Sequence, residues 1–350
     1  MKRQIILLLF CLYVVIIQGC KKQAEVANSV VSNDISFENP SYFPTTTTYD
    51  FQQNPVNTAT FELGKALFYD GILSRNGKIS CGSCHLQAQA FVQVDHAFSH
   101  GIDDHLTARN TPALQNLAWS PYFFWVGGVP SLYRTSMSPL ENPLEMDEKI
   151  ANVLVKLKNH PNYPSRFAKA FGDTAITQDR FLKALAQFMV MLVSANSKYD
   201  QVVYKKNISF TQDEQDGYSL FQQKCVNCHP EPLFTDHKFR NNGIQNEPFA
   251  DIGRAEASAV EPRDVGLFKT PSLRNVALTY PYMHNGSITT LEKVIEHYNS
   301  GVINSSTLDV EFKKQIPVGI RINAEEKRKL VAFLNTLTDD TFIRDKRFSE

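Results

Sequence analysis

Apolar residues recur at helical spacing in two long stretches of the chain. The shorter stretch follows Asp147, and the longer one follows Thr177, whose hydroxyl can cap a helix N-terminus. The apolar positions are Ile150, Val153, Leu154 and Leu157 in the first, and Phe181, Leu185, Phe188, Met189 and Leu192 in the second. This spacing places the apolar side chains on one face of an α-helix. Since no segment shows convincing alternation of period two, the pattern predicts an all-α protein.

Residue pairs typical of helix starts support this prediction. In a capping box, a polar side chain accepts a backbone N–H three residues on, and a Glu at that position returns the bond. The pairs are Thr211 with Glu214, Thr289 with Glu292, and Asn323 with Glu326. The first pair predicts a helix that runs into Cys225.

The N-terminus has the pattern of an export signal. Two basic residues precede an apolar run from Ile5 to Ile17, which is short for a membrane span but fits the core of a signal peptide. The ending Gly19-Cys20, followed by lysines, resembles the lipobox of bacterial lipoproteins. We therefore predict that residues 1–19 are removed and that Cys20 carries a lipid anchor. An ordinary secretion signal with an incidental Cys20, or an uncleaved anchor, is the alternative.

The rest of the chain divides into a polar segment and a longer body. Residues 20–55 are polar and predict a tether between the anchor and the folded body. The remaining length allows two domains, predicted at 56–200 and 201–350. Lys plus Arg total 36, and Asp plus Glu total 36. This balance gives no support to nucleic-acid binding or to a polybasic membrane patch.

The pentapeptide Cys-Xaa-Xaa-Cys-His occurs twice in the chain. This spacing attaches haem c, because the two thiols bond to the porphyrin vinyl groups and the His places an imidazole on the iron. One match could be a zinc or redox site, whereas two matches predict a protein with two covalently bound haem c groups. The predicted attachment residues are Cys81, Cys84 and His85 for the first haem, and Cys225, Cys228 and His229 for the second.

Cysteine usage agrees with this assignment. Of six cysteines, four lie in the haem motifs, and the other two are Cys11 and Cys20 near the N-terminus. No cysteine then remains for a disulfide, although an exported protein could form one. Zinc is another common use of such pairs. The His after each pair and the wide separation of the pairs make zinc the weaker interpretation.

An eight-residue pattern also occurs twice. Thr-Pro-x-Leu-x-Asn-x-Ala begins at Thr111 and again at Thr270, each copy downstream of its own haem motif. A duplicated haem-binding unit explains this repeat. The copies have diverged, since the first offers Trp125 where the second offers Asn285 or a neighbour. Unequal halves predict unequal haems.

Six further segments stand in a fixed order along the chain. They are Gly64-Lys-Ala-Leu-Phe68, Arg109-Asn-Thr-Pro112, Phe124-Trp125, Glu141-Asn-Pro-Leu-Glu-Met146, Asp251-Ile-Gly-Arg254 and Phe268 to Gly286. With the haem motifs, this series resembles the bacterial di-haem cytochrome c peroxidases and their MauG-type relatives over about residues 57–340. The resemblance implies two cytochrome c-like domains packed with a haem–haem interface. It also implies reduction of hydrogen peroxide to water, with electrons from a small cytochrome c or cupredoxin.

The resemblance assigns roles to residues of the first half. In that family the N-terminal haem is the peroxide site, so His85 would be its proximal ligand and Glu145 its distal acid. A carboxylate in a partly apolar pocket can move a proton from one peroxide oxygen to the other. Trp125 matches the tryptophan that helps electrons cross between the haems. Relatives continue Asp-Gly-Arg after it, whereas this chain has Val126-Gly-Gly128, which leaves the local electrostatics open. On the residues alone, Glu145 would be a surface acid and Trp125 a core aromatic.

The far ligand of the second haem decides between an electron relay and a catalyst. His229 would be the near ligand, and the family position of the far one falls on Tyr298, the choice typical of MauG-type proteins. Many peroxidases use a methionine there, and Met283 is the alternative axial ligand. His297 is a weaker rival, because one helical step turns it about 100° from its neighbour.

The resemblance implies two further sites. Some peroxidases carry a histidine that caps the N-terminal haem at rest, and His100 is its tentative counterpart, although a solvent-exposed loop histidine is the alternative. Asn110, with the carbonyls of Thr279 and Pro281, matches the inter-haem calcium site of the family. Hard oxygen ligands are those that calcium prefers.

Three functions remain open on the sequence. The first is the peroxidase; the second is a MauG-type oxidase that uses a bis-ferryl state, for which Tyr298 is the motive. The third is a non-enzymatic di-haem electron-transfer cytochrome. Each would act on the periplasmic side of a bacterial membrane, anchored through a lipid on Cys20. A homodimer is compatible with all three.

Overall fold

The structure, a computed structural model, describes residues 35–46 and 48–350. The predicted signal peptide, the lipid attachment at Cys20 and the first part of the predicted tether lie outside these residues. In the described part of the chain, no helix has both the length and the apolar character needed to cross a membrane.

Helices and one very small sheet make up the regular structure of residues 35–46 and 48–350. The α-helices are α1 Thr58–Tyr69, α2 Cys81–Cys84, α3 Met137–Glu141, α4 Ile150–Asn159, α5 Tyr163–Phe171, α6 Gln178–Val190, α7 Lys198–Asp200, α8 Gln212–Lys224, α9 Leu291–Glu296, α10 Ala324–Asn335 and α11 Asp340–Ile343. The strands β1 Phe239–Arg240 and β2 Phe268–Lys269 pair antiparallel. The prediction of a helix-rich fold is confirmed. The sheet was not predicted, because a strand of two residues shows no alternation.

The predicted helix starts are confirmed with one exception. Thr177 accepts the backbone N–H of Arg180 at the start of α6, and Thr211 and Asn323 form complete capping boxes at α8 and α10. The prediction for Thr289 was wrong by one residue. Thr290 is the N-cap of α9 and accepts from the backbone of Lys293.

Each half of the body is built on a close crossing of two helices. In the first half, Gly64 of α1 lies so near α6 that an added Cβ would be 2.0 Å from the backbone oxygen of Ala184. In the second half, Gly217 of α8 has the same relation to Lys329 of α10, also at 2.0 Å. Only glycine permits such contact between backbones. The duplication seen in the sequence therefore extends to the helix that precedes each haem motif.

Replacing Gly217 by Ala should lower the free energy of unfolding by about 1–3 kcal/mol, since the new methyl forces α8 away from α10. This loss opposes the preference of an isolated helix for Ala over Gly. Guanidinium unfolding of the haem-loaded protein measures it. Gly128→Ala is the matched control, because its added Cβ would have no neighbour nearer than 3.7 Å. Equal stability of the two variants would contradict the close crossing.

The described residues form two large hydrophobic cores and a small third one of Val302, Leu308 and Phe312. The first contains buried side chains from Phe43 to Leu192 and also Phe342 and Phe348 from the C-terminus. The second contains buried side chains from Tyr199 to Leu337. The predicted division into two domains at residue 200 stays a prediction. The C-terminal segment crosses back to the first half, which a division into two continuous ranges did not anticipate.

The prediction that residues 20–55 form a tether is wrong for the described residues from Ile35 onward. Phe43 is 5% exposed and packs edge to face on Trp119, with ring centroids 4.8 Å apart. The Trp119 indole N–H donates to the carbonyl of Pro44 at 2.7 Å. The aromatic residues scattered through this polar segment are what fold it onto the body, because each buries apolar area that a tether would leave exposed.

A fully buried ion pair lies between the two cores. Arg274 and Asp200 have no exposed side-chain surface, and the guanidinium donates to both carboxylate oxygens, at 2.9 and 2.8 Å. Arg274 also donates to the carbonyls of Ser194 and Pro232. Since Gln115 of the first half donates to the Arg274 carbonyl at 2.8 Å, this arginine ties both halves together.

Candidate functional site

The first haem motif forms a short helix whose geometry presents the histidine. The Ser80 hydroxyl caps α2, and His85 follows directly after the helix. The His85 Nδ1 lies 2.7 Å from the carbonyl of Phe91, which fixes Nδ1 as the donor and leaves Nε2 as a neutral ligand atom. Burial lowers the pKa of His85 to about 4, so the imidazole is uncharged at neutral pH. This is the state that iron coordination needs.

The second motif repeats this geometry. His229 Nδ1 lies 3.0 Å from the carbonyl of Phe234, and burial lowers the pKa of His229. Phe91 and Phe234 both adopt positive φ, at 60° and 54°, which turns each carbonyl toward its histidine. Both predicted proximal ligands therefore have the same tautomer, and in both a backbone carbonyl orients the ring through Nδ1.

A cavity of about 500 Å³ extends from the second motif toward the first half. Cys225, Cys228 and His229 line it. None of the four motif cysteines is in a disulfide. Burial raises the pKa of the Cys225 thiol to about 12. The thiols are thus neutral and enclosed in a cavity that a flat apolar cofactor can enter.

Unpaired polar atoms in this cavity wall also fit a haem. His237 Nε2 and Arg240 Nε are buried and have no hydrogen-bond partner among the described residues, and both residues line the cavity. A buried donor without a partner costs stability. The carboxylate groups of a haem would supply acceptors for such donors. The residues present therefore fit the group that the motif predicts.

Tyr298 lies in the wall of the same cavity, in the π-helical turn His297–Gly301. Burial raises the pKa of Tyr298 to about 12, and the neighbouring Cys228 and Cys225 add to that increase. The phenol therefore lies close enough to the haem-attaching thiols for their charge to affect its pKa. π-Helical turns occur often at functional sites, because they redirect a side chain out of the regular helical spacing.

The two other candidates for this ligand differ in their surroundings. Met283 also lines the cavity, but its sulfur lies 3.1 Å from the Asn242 amide nitrogen. His297 is buried, and its Nε2 lies 2.9 Å from the carbonyl of Asn242. That contact occupies the nitrogen that would bind iron. The structure therefore favours Tyr298 or Met283 over His297.

Glu145 lies beside the first motif. The Asn142 amide donates to Glu145 Oε1 at 2.6 Å, and the Glu145 carbonyl accepts from Ile102 N at 2.7 Å. Burial raises the pKa of the Glu145 carboxyl, and the hydrogen bond from Asn142 opposes that increase. Burial also raises the pKa of Cys84, to which the Glu145 charge contributes. The carboxylate is therefore partly buried and close to the first haem attachment.

Trp125 lies between the halves, and the structure identifies its counterpart. An offset of 159 residues carries Thr111 onto Thr270 and Trp125 onto His284, the neighbour of Asn285. Matching positive φ values at Phe124 and Met283, and at Gly127 and Gly286, confirm this register. The two rings meet edge to face, with centroids 6.5 Å apart.

Hydrogen bonds through Asn110 connect this pair. The Trp125 indole N–H donates to the Asn110 carbonyl at 2.8 Å, and Asn110 N donates to the His284 carbonyl at 2.8 Å. His284 stacks on Phe268 at 3.6 Å, and burial lowers its pKa to about 4. No motif pointed to His284. The exact offset between the two repeats would have found it.

An arginine from the second half lies at the loop after Trp125. Arg254 Nη1 donates to the carbonyl of Val126 at 2.8 Å, and the guanidinium lies over the ring of Phe239 at 4.2 Å. Arg254 thus holds the loop after Trp125 from the second half of the chain. Lys269, also missed, lines the cavity, and burial lowers its pKa to about 8.

His100 lies at the surface in this conformation. Its side chain is 41% exposed, and its Nδ1 lies 2.5 Å from the Asp104 carboxylate. Its assignment as a cap of the first haem stays a prediction.

The predicted calcium ligands share one cavity. Asn110, Thr279 and Pro281 all line the large cavity. The Asn110 amide nitrogen donates to the Ala97 carbonyl at 3.0 Å, which directs its donor away from any cation. Within residues 35–46 and 48–350, no group of three or more His, Cys, Asp or Glu side chains could hold a metal ion. Calcium would therefore rely on neutral oxygens.

Comparison with known proteins identifies the family to which this chain belongs. The profile described as "Di-haem cytochrome c peroxidase" matches residues 58–208. The methylamine utilization protein MauG of Methylophilus methylotrophus is 33% identical over 298 residues, which cover 81% of this chain and 84% of that protein. The chain belongs to the di-haem cytochrome c peroxidase family. Members of this family are oxidoreductases that carry covalently bound haem c.

Two further similar proteins are a peroxidase and a MauG-like protein. The cytochrome c551 peroxidase of Nitrosomonas europaea is 35% identical over 82% of each chain. A solved structure of a MauG-like protein associated with microbial copper homeostasis is 31% identical and has a TM-score of 0.82. That likeness covers 90% of this chain and 99% of the other. The di-haem peroxidase fold thus extends over both halves of the body.

Proposed function

We propose that the protein reduces hydrogen peroxide to water at the first haem, with two electrons that enter at the second. The observation that carries this proposal is the inequality of the two units. Glu145 places a partly buried carboxyl beside the first motif, whereas Tyr298 and Met283 offer axial ligands in the cavity of the second. An open position supports chemistry, and a filled one supports electron transfer.

The bound haem would supply an iron centre that accepts electrons and binds a peroxide oxygen. His85 would hold that iron through Nε2, since the Phe91 carbonyl occupies its other ring nitrogen. Glu145 Oε1 is engaged by Asn142, which leaves Oε2 to exchange a proton with the substrate. Glu145 takes a proton from one peroxide oxygen and delivers it to the other, which leaves as water. Two electrons and two further protons complete the conversion to a second water.

Residues between the halves provide the electronic connection. Trp125 and His284 are in ring contact, and both line the cavity of the second haem. The Trp125 indole N–H and the His284 backbone carbonyl both bond to Asn110, so the Trp125 ring cannot turn away without breaking a hydrogen bond. The His284 ring is held by its stack on Phe268. We assign to Trp125 the role of electron bridge and to His284 that of its support. Calcium bound at Asn110, Thr279 and Pro281 would fix the same segment.

The remaining partners follow from the sequence and from the relatives. A small cytochrome c or cupredoxin would deliver the electrons. The N-terminal pattern supports export to the periplasmic side of a bacterial membrane with a lipid on Cys20, and a homodimer is compatible with this arrangement. His100 would reach the first haem only if its loop left the position seen here.

Steady-state consumption of peroxide with a reduced small cytochrome c tests the proposal. The reduced, calcium-loaded protein should turn over peroxide and oxidise two donor molecules for each peroxide. A protein that takes up electrons but consumes no peroxide would be a non-enzymatic cytochrome, and the proposal would fail.

Tyr298 favours a second candidate function, a MauG-type oxidase. An anionic phenolate stabilises higher oxidation states of iron more than a methionine sulfur does. Such a protein would keep its oxidising equivalents after reaction with peroxide and then use them to oxidise another protein or a small molecule. Peroxide added to the oxidised protein without donor distinguishes the two. Loss of those equivalents within one turnover would exclude the oxidase.

A further inference from the structure

A group of tyrosines lies behind the second haem site, outside the cavity. Tyr199 is fully buried, and its ring packs edge to face on Phe234 with centroids 4.8 Å apart. Phe234 is the residue whose carbonyl accepts from His229 Nδ1 at 3.0 Å. One side chain therefore separates the Tyr199 phenol from the proximal histidine.

From Tyr199, contacts between phenols continue outward. The Tyr199 and Tyr204 hydroxyl oxygens are 3.3 Å apart. The Tyr204 ring is stacked on Tyr42, with centroids 4.0 Å apart and planes inclined by 9°. Tyr204 and Tyr42 are both partly exposed. The three residues thus form a continuous path from the proximal side of the second haem site to the surface.

A carboxylate stands at the buried end of this path. The Tyr199 hydroxyl donates to Glu231 Oε1, which also accepts from Tyr218 at 3.0 Å. Burial raises the pKa of Tyr199, and the hydrogen bond to Glu231 raises it further, so the side chain is a neutral phenol. A neutral phenol that loses an electron must also lose its proton. Glu231 is within hydrogen-bond distance to receive it, and its partial exposure lets it return the proton to solvent.

We propose that Tyr199 and Tyr204, the latter stacked on Tyr42, carry oxidising equivalents from the second haem to the surface, with the Tyr199 proton passing along its hydrogen bond to Glu231. The relay rests on the proposed function, since the oxidant is the haem pair after it has reduced peroxide. Tyr199 gives one electron to that pair and its hydroxyl proton to Glu231. Tyr204, stacked on Tyr42, then passes a hydrogen atom to the Tyr199 oxygen. A small external phenol restores Tyr204 by giving up a hydrogen atom, and Glu231 releases its proton to water.

The relay makes this surface a second site of electron entry, for small phenolic reductants. In net terms the external phenol loses one electron to the haem pair and one proton to solvent, and every tyrosine is regenerated. The reaction with peroxide leaves oxidising equivalents that would damage the protein when the protein donor is absent. A path to the surface removes them without involving the donor site.

Tyr199→Phe tests the relay, because it keeps the ring contacts and removes only the hydroxyl. Tyr163→Phe is the matched control, since the Tyr163 hydroxyl also donates to a carboxylate, Asp70 Oδ2 at 2.7 Å, while its ring contacts His160 and no tyrosine. Oxidised holoprotein is mixed with peroxide without donor and frozen for electron paramagnetic resonance. The wild type and Tyr163→Phe should show a tyrosyl radical whose lines narrow with ring-deuterated tyrosine. Tyr199→Phe should lose most of that signal.

Two further measurements separate a relay from a structural role. Tyr199→Phe should lose most of the peroxide-dependent oxidation of a small phenol and keep the turnover with reduced cytochrome c. An unchanged radical in Tyr199→Phe, or none in a wild type that turns over peroxide with cytochrome c, would overturn the relay alone. Absence of that turnover would overturn the proposed function and the relay with it.

Discussion

Replacing Glu145 by Gln is expected to lower peroxide turnover by about 100- to 10,000-fold, the usual contribution of a positioned general acid–base group. The amide keeps the size of the side chain and its contact with Asn142, but it cannot accept and return a proton at neutral pH. Because Glu145 does not attach the cofactor, both haems should remain bound. Their optical spectra in the oxidised and reduced states check this.

Glu141→Gln is the matched control for this variant. Glu141 lies four residues earlier, and its Oε1 accepts from the backbone of Ile150 at 3.3 Å, a bond that an amide oxygen can also accept. Its turnover should equal that of the wild type. A Glu145→Gln protein that keeps wild-type turnover would remove Glu145 from the mechanism and leave the first haem without a proton carrier.

Replacing Arg274 by Met is expected to cost about 3–5 kcal/mol of unfolding free energy, because it leaves the Asp200 carboxylate buried without its counter-ion. Both side chains have no exposed surface, and the arginine also donates to carbonyls of Ser194 and Pro232. Guanidinium unfolding of the haem-loaded protein, followed by absorbance and by circular dichroism, measures the change.

An exposed pair and a double replacement serve as controls. Arg328 and Asp213 form an ion pair whose side chains are 52% and 44% exposed, so Arg328→Met should cost less than about 1 kcal/mol. Arg274→Met combined with Asp200→Leu should recover much of the loss, since no unpaired charge remains. If Arg274→Met were as mild as Arg328→Met, the buried pair would not tie the two cores together.

The sequence specified the parts of the site that depend on short spacing. Cys-Xaa-Xaa-Cys-His defines its own chemistry, because the two thiols and the histidine must reach one porphyrin. The caps at Thr177, Thr211 and Asn323 are local for the same reason, since each involves a hydrogen bond across three residues. The family series then located Glu145, Trp125 and Tyr298, whose positions could not be derived from spacing alone.

The features that sequence reasoning missed all depend on contacts between distant residues. Gly64 and Gly217 carry no signal until the opposing helix is in place. His284 touches Trp125 only because the two halves meet face to face. The segment predicted as a tether is polar on average, yet its scattered aromatic side chains, such as Phe43 against Trp119, pack on the body. His100 shows the converse, because its contact with Asp104 depends on a loop conformation that the sequence does not determine.

Cyanide titration of the oxidised holoprotein, followed by electron paramagnetic resonance, tests the inequality of the two haem units most directly. The wild type should bind one cyanide per molecule, at the haem held by His85. Tyr298→Phe should open the second haem and bind two, whereas Met283→Leu should behave as the wild type. A wild type that binds two or none, or a second cyanide that appears in Met283→Leu and not in Tyr298→Phe, would contradict the division of roles between the two haems.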